Sequence, residues 1–153
     1  MDKVVATAAE AVADITDGSS LAVGGFGFCG IPEPSIAALV ATGVGDLETV
    51  SDNRGGNGVG LVHLLEHKRI RRVASYAADN KEFARQFLSA NASAANFNPD
   101  CARAGRITIT EVDHLVEPGE IDPAAVHTPG IFVHRIVHVP DPVKPLEKVT
   151  VAR

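Results

Sequence analysis

The chain is short of cysteine, of basic residues and of long apolar runs, and each shortage excludes a class of protein. Its two cysteines, Cys29 and Cys101, have neither the density of a disulfide scaffold nor metal-ligand spacing, which fits a reducing, cytoplasmic setting. Fourteen Lys and Arg stand against 19 Asp and Glu, a net charge of −5, so the basic stripe a nucleic-acid partner requires is missing. The one basic cluster, Lys68-Arg69 with Arg71-Arg72, alternates with Ile70 and Val73 and reads as a solvated strand edge. No apolar stretch approaches the length that crosses a bilayer, so no membrane association is expected. Asp2 and Glu10 inside an alanine-rich start match neither a signal peptide nor a basic transit peptide. Tryptophan is absent, and the 153 residues are 45% hydrophobic and 22% charged. That is the composition of one soluble domain, 1–153, able to bury about two-thirds of its unfolded surface.

Periodicity supplies the elements. Val4, Val5, Ala8, Val12 and Ile15 recur at helical spacing and predict an amphipathic helix from Lys3 to Ile15, ending before Asp17-Gly18. Leu21–Val23 predicts a buried strand. Glu33–Thr42 predicts a helix with Ile36, Leu39 and Val40 facing inward, stopped by Gly43 and Gly45. Strands follow at Leu47–Ser51, Ile70–Tyr76, Arg106–Val112 and Ile131–Val137, with helices at Gly60–Lys68 and Lys81–Leu88. Strands separated by helices imply an α/β fold with a mainly parallel open sheet flanked by helices. On composition, Ala90–Pro99 is a small, polar linker, and residues 140–153 form an extended, proline-containing tail expected to reach over a neighbour.

The densest signal lies between Asp17 and Pro32. Leu21-Ala22-Val23 feeds a turn carrying Gly24, Gly25, Gly27 and Gly30, and Ile31-Pro32-Glu33-Pro34 then opens a helix. Glycine lets backbone approach a ligand closely and reaches positive φ cheaply. Amides at a helix start offer N–H groups and a positive dipole end to an anion. The turn therefore reads as a place where phosphate or an oxyanion is held by backbone, against the plain alternative of a tight strand-to-helix connection.

Other constellations are weaker. Gly25-x-Gly27-x-x-Gly30 satisfies a dinucleotide-binding fingerprint, with Asp52 at the end of the next strand where a ribose-binding acid would sit. Pro32 and Pro34 interrupt the helix start that fold wants. His63-Leu64-Leu65-Glu66-His67 matches an inverted zinc-peptidase string, although a solvated polar helix face explains it more simply and no metal is expected. Cys29 lacks a local histidine to activate it and reads as a small buried side chain. Glu117, Glu120 and Asp122 around Pro118-Gly119 form a solvated acidic turn, and His127-Thr128-Pro129-Gly130 a structured loop.

Asp17-Gly18, Leu21-Ala22-Val23, Gly24-Gly25-Phe26 and Gly30-Ile31-Pro32 together resemble the signature of the class I CoA-transferases, in their α (A) subunit, of the kind acting on 3-oxoacids. The resemblance continues through Asp46-Leu47, Val50-Ser51-Asp52-Asn53, Glu82-Phe83, Gln86-Phe87-Leu88-Ser89 and Ala95-Asn96-Phe97-Asn98-Pro99. It ends with Glu111-Val112, Leu115 to Glu120 and His127 to Val133. It implies a subunit that moves CoA between an acyl-CoA (succinyl-CoA or acetyl-CoA) and a carboxylic acid such as acetoacetate. The nucleophilic glutamate would come from a CoA-transferase β (B) subunit, in a heterodimer or heterotetramer, so no catalytic residue is expected in this chain. It assigns CoA binding to Gly24, Gly25, Phe26, Gly27, Phe28, Cys29 and Gly30, places Asn53 in a possible substrate loop, and implies no permanently bound cofactor, CoA being a substrate moiety. Two departures stand out. Ala90-Asn91 joins blocks that the family separates by several tens of residues, including a second glycine-rich loop and further strands. Asp52-Asn53-Arg54 stands where the family usually has two asparagines and an alanine.

Overall fold

The computed structural model describes residues 2–52, 58–75 and 97–144. Asn53, the predicted helix Lys81–Leu88 and the Ala90-Asn91 join lie outside the described residues. Among the described residues, six strands pair into two three-stranded sheets. One has β2 (Ser20–Val23), β3 (Leu47–Ser51) and β4 (Ile70–Ser75) in that order, and the other has β1 (Val4–Val5), β6 (Arg135–His138) and β5 (Ile109–Val112) in the order β1-β6-β5. Every pairing is parallel. Parallel neighbours need crossover connections: α2 (Glu33–Thr42) lies between β2 and β3 and α3 (Val62–Glu66) between β3 and β4, while α1 (Ala8–Val12) leads from one sheet to the other. A fourth helix, α4 (Asn98–Ala104), precedes β5.

The local chemistry explains the boundaries. Thr7 caps α1, its hydroxyl accepting from the Glu10 amide at 3.1 Å, while the Glu10 carboxylate accepts from the Ala6 amide at 3.0 Å. That reciprocal cap starts the helix at Ala8 and leaves Val4-Val5 free to pair with Ile136 and Val137. The predicted helix from Lys3 is thus a short strand plus a shorter helix, because β-branched Val4 and Val5 gain a ladder partner far along the chain. Glu33–Thr42 and Leu47–Ser51 appear with the predicted bounds, α2 ending on Gly43 at φ 83°. The predicted strand Arg106–Val112 is ordered as a strand only over Ile109–Val112. Part of the predicted Ile131–Val137 strand is a 3₁₀ turn, Gly130–Phe132. Asn98 and Pro99, read as linker, instead begin α4, with proline in its first turn where its missing N–H costs nothing.

Val12, Ile36, Leu39, Val44, Leu47, Leu61 and Leu64 form the core between the β2–β3–β4 sheet and helices α1 to α3, with Ile109 of the other sheet packed against it. Arg135 ties the halves together: its guanidinium donates to both Asp14 carboxylate oxygens and to the Ala11 carbonyl, each at 2.6 Å. The opposite face of β2–β3–β4 is exposed among the described residues, with Val50 54% accessible between Ala22 and Ala74. A parallel sheet is ordinarily covered on both faces. Its exposed polar row, Ser20, Glu48 and Arg72, is linked by hydrogen bonding and ion pairing, and Arg71 also reaches Glu48. Lys68, Arg71 and Arg72 are thus a solvated edge, as expected, while Arg69 is half-buried and donates to the Gly43 carbonyl.

Thr49 is fully buried in the central strand, and its hydroxyl has no hydrogen-bond partner among the described residues. An unsatisfied buried hydroxyl is destabilising relative to a methyl of the same shape. Thr49→Val is expected to raise unfolding free energy by about 1 kcal/mol in urea denaturation; a loss of stability would mean the hydroxyl has a partner.

Candidate functional site

The glycine turn sits at the carboxyl end of β2, beside the carboxyl end of β3, where ligands bind in open parallel sheets. Phe26 and Cys29 exchange backbone hydrogen bonds, the Phe26 amide to the Cys29 carbonyl at 2.9 Å and the Cys29 amide to the Phe26 carbonyl at 3.0 Å. This closes a two-residue loop of Gly27 and Phe28, with Gly27 at φ 61° as the first central position of such a loop demands. Gly25, buried at φ 107°, turns the chain into it. At Gly24 the requirement is close approach: a Cβ there would lie 1.9 Å from Asn98 Oδ1. Phe26 also packs against Phe97, ring centroids 6.5 Å apart, so the turn rests on the start of α4.

Asp52 supports the turn from below. It is 7% exposed, and its Oδ2 accepts from the Gly27 amide at 3.4 Å. Burial raises its carboxyl above the ordinary range, opposed by that amide. A carboxylate turned inward beneath the turn is not presented to a ribose, which removes the acid the dinucleotide reading relied on.

The start of α2 departs from expectation. Its first-turn donors are already engaged: the Glu33 amide donates to the Ile31 carbonyl at 2.9 Å, Pro34 has none, and the Ser35 amide and hydroxyl donate to Glu111 Oε1 at 2.7 and 2.6 Å. Glu111 of β5 is thus the helix cap, supplied from the other sheet. Any anion must be met by the turn itself, where the amides of Gly25, Phe28 and Gly30 have no acceptor among the described residues. Nothing in the sequence marked Glu111 for this role, because the contact joins residues 76 apart in the chain.

Burial is the main cause raising the Glu111 carboxyl, with Ser35 pulling it down and nearby Glu33 adding to the rise. A folded-state value above the unfolded one contributes stability below about pH 4 that is lost as pH climbs through the raised value. Glu111→Gln keeps an acceptor for Ser35 and removes the titration. Its stability relative to the parent is expected to improve from about pH 4 upward in a urea series; a constant difference would remove Glu111 from the titration.

The remaining candidates do not converge. His67 Nδ1 lies 2.8 Å from the carbonyl of His63, whose own ring is 3.9 Å from Glu66, and no metal-capable cluster occurs among the described residues. Cys29 is half-buried rather than buried, and Glu117, Glu120, Asp122 and His127 are exposed.

The turn opens into a cleft of about 990 Å³ between the two sheets, walled by β2, α4 and β5 and floored by residues of α1 and α2. A shallower polar hollow of about 440 Å³ lies between Asp113, His114 and residues 140–144, where Lys144 pairs with Asp113. No described helix is long and apolar enough to cross a membrane.

Comparison with known proteins agrees with this architecture. The Coenzyme A transferase family matches in two segments, residues 5–93 and 88–139. The A subunit of a probable succinyl-CoA:3-ketoacid coenzyme A transferase from Mycobacterium tuberculosis is 46% identical, the match covering 99% of both chains. The corresponding chain from Xanthomonas campestris is 33% identical over 90% of this chain and 88% of its own. The 246 positions of the mycobacterial alignment exceed this chain's 153 residues by 93. Among solved structures, an acyl-CoA transferase from Escherichia coli, described as a thioester complex with CoA, superposes with a TM-score of 0.69 at 15% identity; the match covers 98% of this chain and about half, 49%, of that one. The decarboxylase AibA/AibB gives 0.65 at 18% identity, covering 92% and 84%. At such identities these structures speak for the fold alone, while the sequence matches go further: the chain belongs to the coenzyme A transferase family, among its α (A) subunits.

Proposed function

We propose that this chain is the α subunit of a 3-oxoacid CoA-transferase whose glycine turn, Gly24 to Gly30, holds the CoA portion of an acyl-CoA such as succinyl-CoA. The observation that carries the reading is the turn itself: a loop braced by Asp52 and α4, with the Phe28 and Gly30 amides, which have no acceptor among the described residues, at the mouth of the cleft between the sheets. Such amides also stabilise oxyanion charge developing on a thioester carbonyl. In the family's scheme a glutamate carboxylate of the partner β chain attacks that carbonyl, forming an acyl anhydride and releasing CoA thiolate. The thiolate returns to give a glutamyl-CoA thioester and the free acid. A second acid, here a 3-oxoacid such as acetoacetate, then takes CoA. The role of this chain is to bind and orient CoA. The resemblance assigns Asn53 to a loop that meets the acid substrate, and we assign the assembly to the cytoplasm.

The chain is also internally shortened at about Ala90-Asn91. The two-part family match meeting at residues 88–93 and a mycobacterial alignment 93 positions longer than this chain support this. Co-expression with a cognate β subunit tests the assignment. The two chains are expected to co-purify; separation of the chains, or CoA exchange by this chain alone, would overturn it.

A further inference from the structure

Among the described residues, six charged side chains line the cleft, and five of them are already engaged. Asp14 takes the Arg135 guanidinium, Glu33 accepts from the Gly60 amide, Glu111 accepts from Ser35, and Asp113 pairs with Lys144. The sixth, Arg106, is exposed on the cleft wall, and its guanidinium has no hydrogen bond or ion pair among the described residues. An anion entering the cleft therefore meets one uncommitted cation. That cation stands on anchored backbone. The Gly105 amide donates to the Cys101 carbonyl at 3.2 Å and closes α4. Buried Thr108 donates from its hydroxyl to the Ala102 carbonyl at 2.9 Å and from its amide to His134 Nδ1 at 3.1 Å. Its carbonyl accepts from the His134 and Arg135 amides, each at 3.0 Å. Backbone fixed in this way on both sides of Arg106 lowers the ordering cost of a ligand contact there.

The surroundings of Arg106 select among anions. Ile107 beside it also lines the cleft and is 54% exposed, and Leu21, Val23 and Ile109 add apolar wall. A carboxylate carried on a short hydrocarbon chain covers such side chains and still reaches the guanidinium, whose fork matches a carboxylate bidentately. The phosphate-bearing end of CoA has no hydrocarbon to lay against them. The spacing agrees. Asn98 of α4 touches Gly24, and the rise from there to Ala104 is about 9 Å. Arg106 follows directly, so the turn and this cation stand apart by about the length of a short acyl chain plus an arginine side chain. We infer that Arg106 binds the terminal carboxylate of an acyl group derived from a dicarboxylic acid, with the thioester end at the glycine turn, and so selects that acyl-CoA over monocarboxylic ones. The inference rests on the CoA reading of the turn and adds a specificity-determining residue to it.

Calorimetric titration of the full chain with CoA, acetyl-CoA and succinyl-CoA tests it, the quantity read being the affinity for succinyl-CoA relative to acetyl-CoA. Arg106→Gln is expected to lower that ratio by about tenfold or more, because a charge-assisted pair is lost. Arg106→Lys keeps the charge without the fork and is expected to lose less of it. Arg106 is exposed and lies outside the core, so both variants are expected to keep the parent Tm. An unchanged ratio in Arg106→Gln would overturn the inference and leave the CoA reading standing. Equal weakening of all three ligands would overturn it too, since the group bound would then be a phosphate of CoA. A parent chain that binds none of the three would overturn both readings together.

Discussion

Gly25→Val is expected to weaken CoA binding by at least about a hundredfold, roughly 2.7 kcal/mol, with the far-UV circular dichroism unchanged. Gly25 sits at φ 107°, and a Cβ there would stand 3.0 Å from Ile31 Cγ1, 3.1 Å from the Cys29 carbonyl oxygen and 3.3 Å from the Ile31 amide nitrogen. A β-branched residue is a conformational outlier at such a φ, costing about 1–3 kcal/mol. Two of the three neighbours are backbone of the turn itself. The turn has to open, which breaks the Phe26–Cys29 pairing and moves the Phe28 and Gly30 amides. The strands and helices lie outside it and keep their packing. Gly27→Ala is the graded comparison: φ is 61°, nothing lies within 4 Å of the added methyl, and only part of the affinity should go. Gly119→Ala controls for strain alone, since Gly119 has φ 99° in the exposed acidic turn far along the chain. Calorimetric titration with CoA reads all three; unchanged affinity in Gly25→Val would remove the turn from the site.

The second large effect concerns turnover. Paired with a cognate β subunit, the chain is expected to exchange CoA between succinyl-CoA and acetoacetate at least about a hundredfold more slowly than a full-length α subunit, a barrier higher by about 2.7 kcal/mol. An acyl anhydride survives only where water is kept out. Among the described residues, the cleft behind the glycine turn is open and the outer face of β2–β3–β4 is bare at Val50. The same exposure favours self-association. A spectrophotometric assay of acetoacetyl-CoA formation measures the rate. Turnover matching a full-length α subunit would show the absent segment to be dispensable.

Local chemistry made some of this fold readable in the sequence. Glu33–Thr42 carries its own stop at Gly43, and Leu47–Ser51 alternates Leu47, Thr49 and Ser51 with Glu48 and Val50 between turn residues, so both were legible with their bounds. The glycine turn was legible too, since four glycines between a strand and a helix have few other uses. What was not legible depends on residues distant in the chain. Val4-Val5 looks helical until Ile136 and Val137 offer a ladder, and Asn98-Pro99 looks like linker until Gly24 and Phe26 give α4 something to rest on. Asp52 is the instructive case. Its place at a strand end suggested a ribose ligand, but its carboxylate braces the turn through the Gly27 amide. Glu111 is the reverse, a strand residue with no capping role expected of it that takes the helix-start donors the turn was expected to share with an anion.

Amide hydrogen exchange of the intact chain, with and without saturating CoA, tests the central claim most directly. Slowed exchange is expected only in the stretch from Gly24 to Gly30, greatest at Phe28 and Gly30, with the Ser35 amide unchanged because Glu111 already holds it. Protection centred on another part of the chain, or none at the turn under conditions where CoA binds, would contradict it.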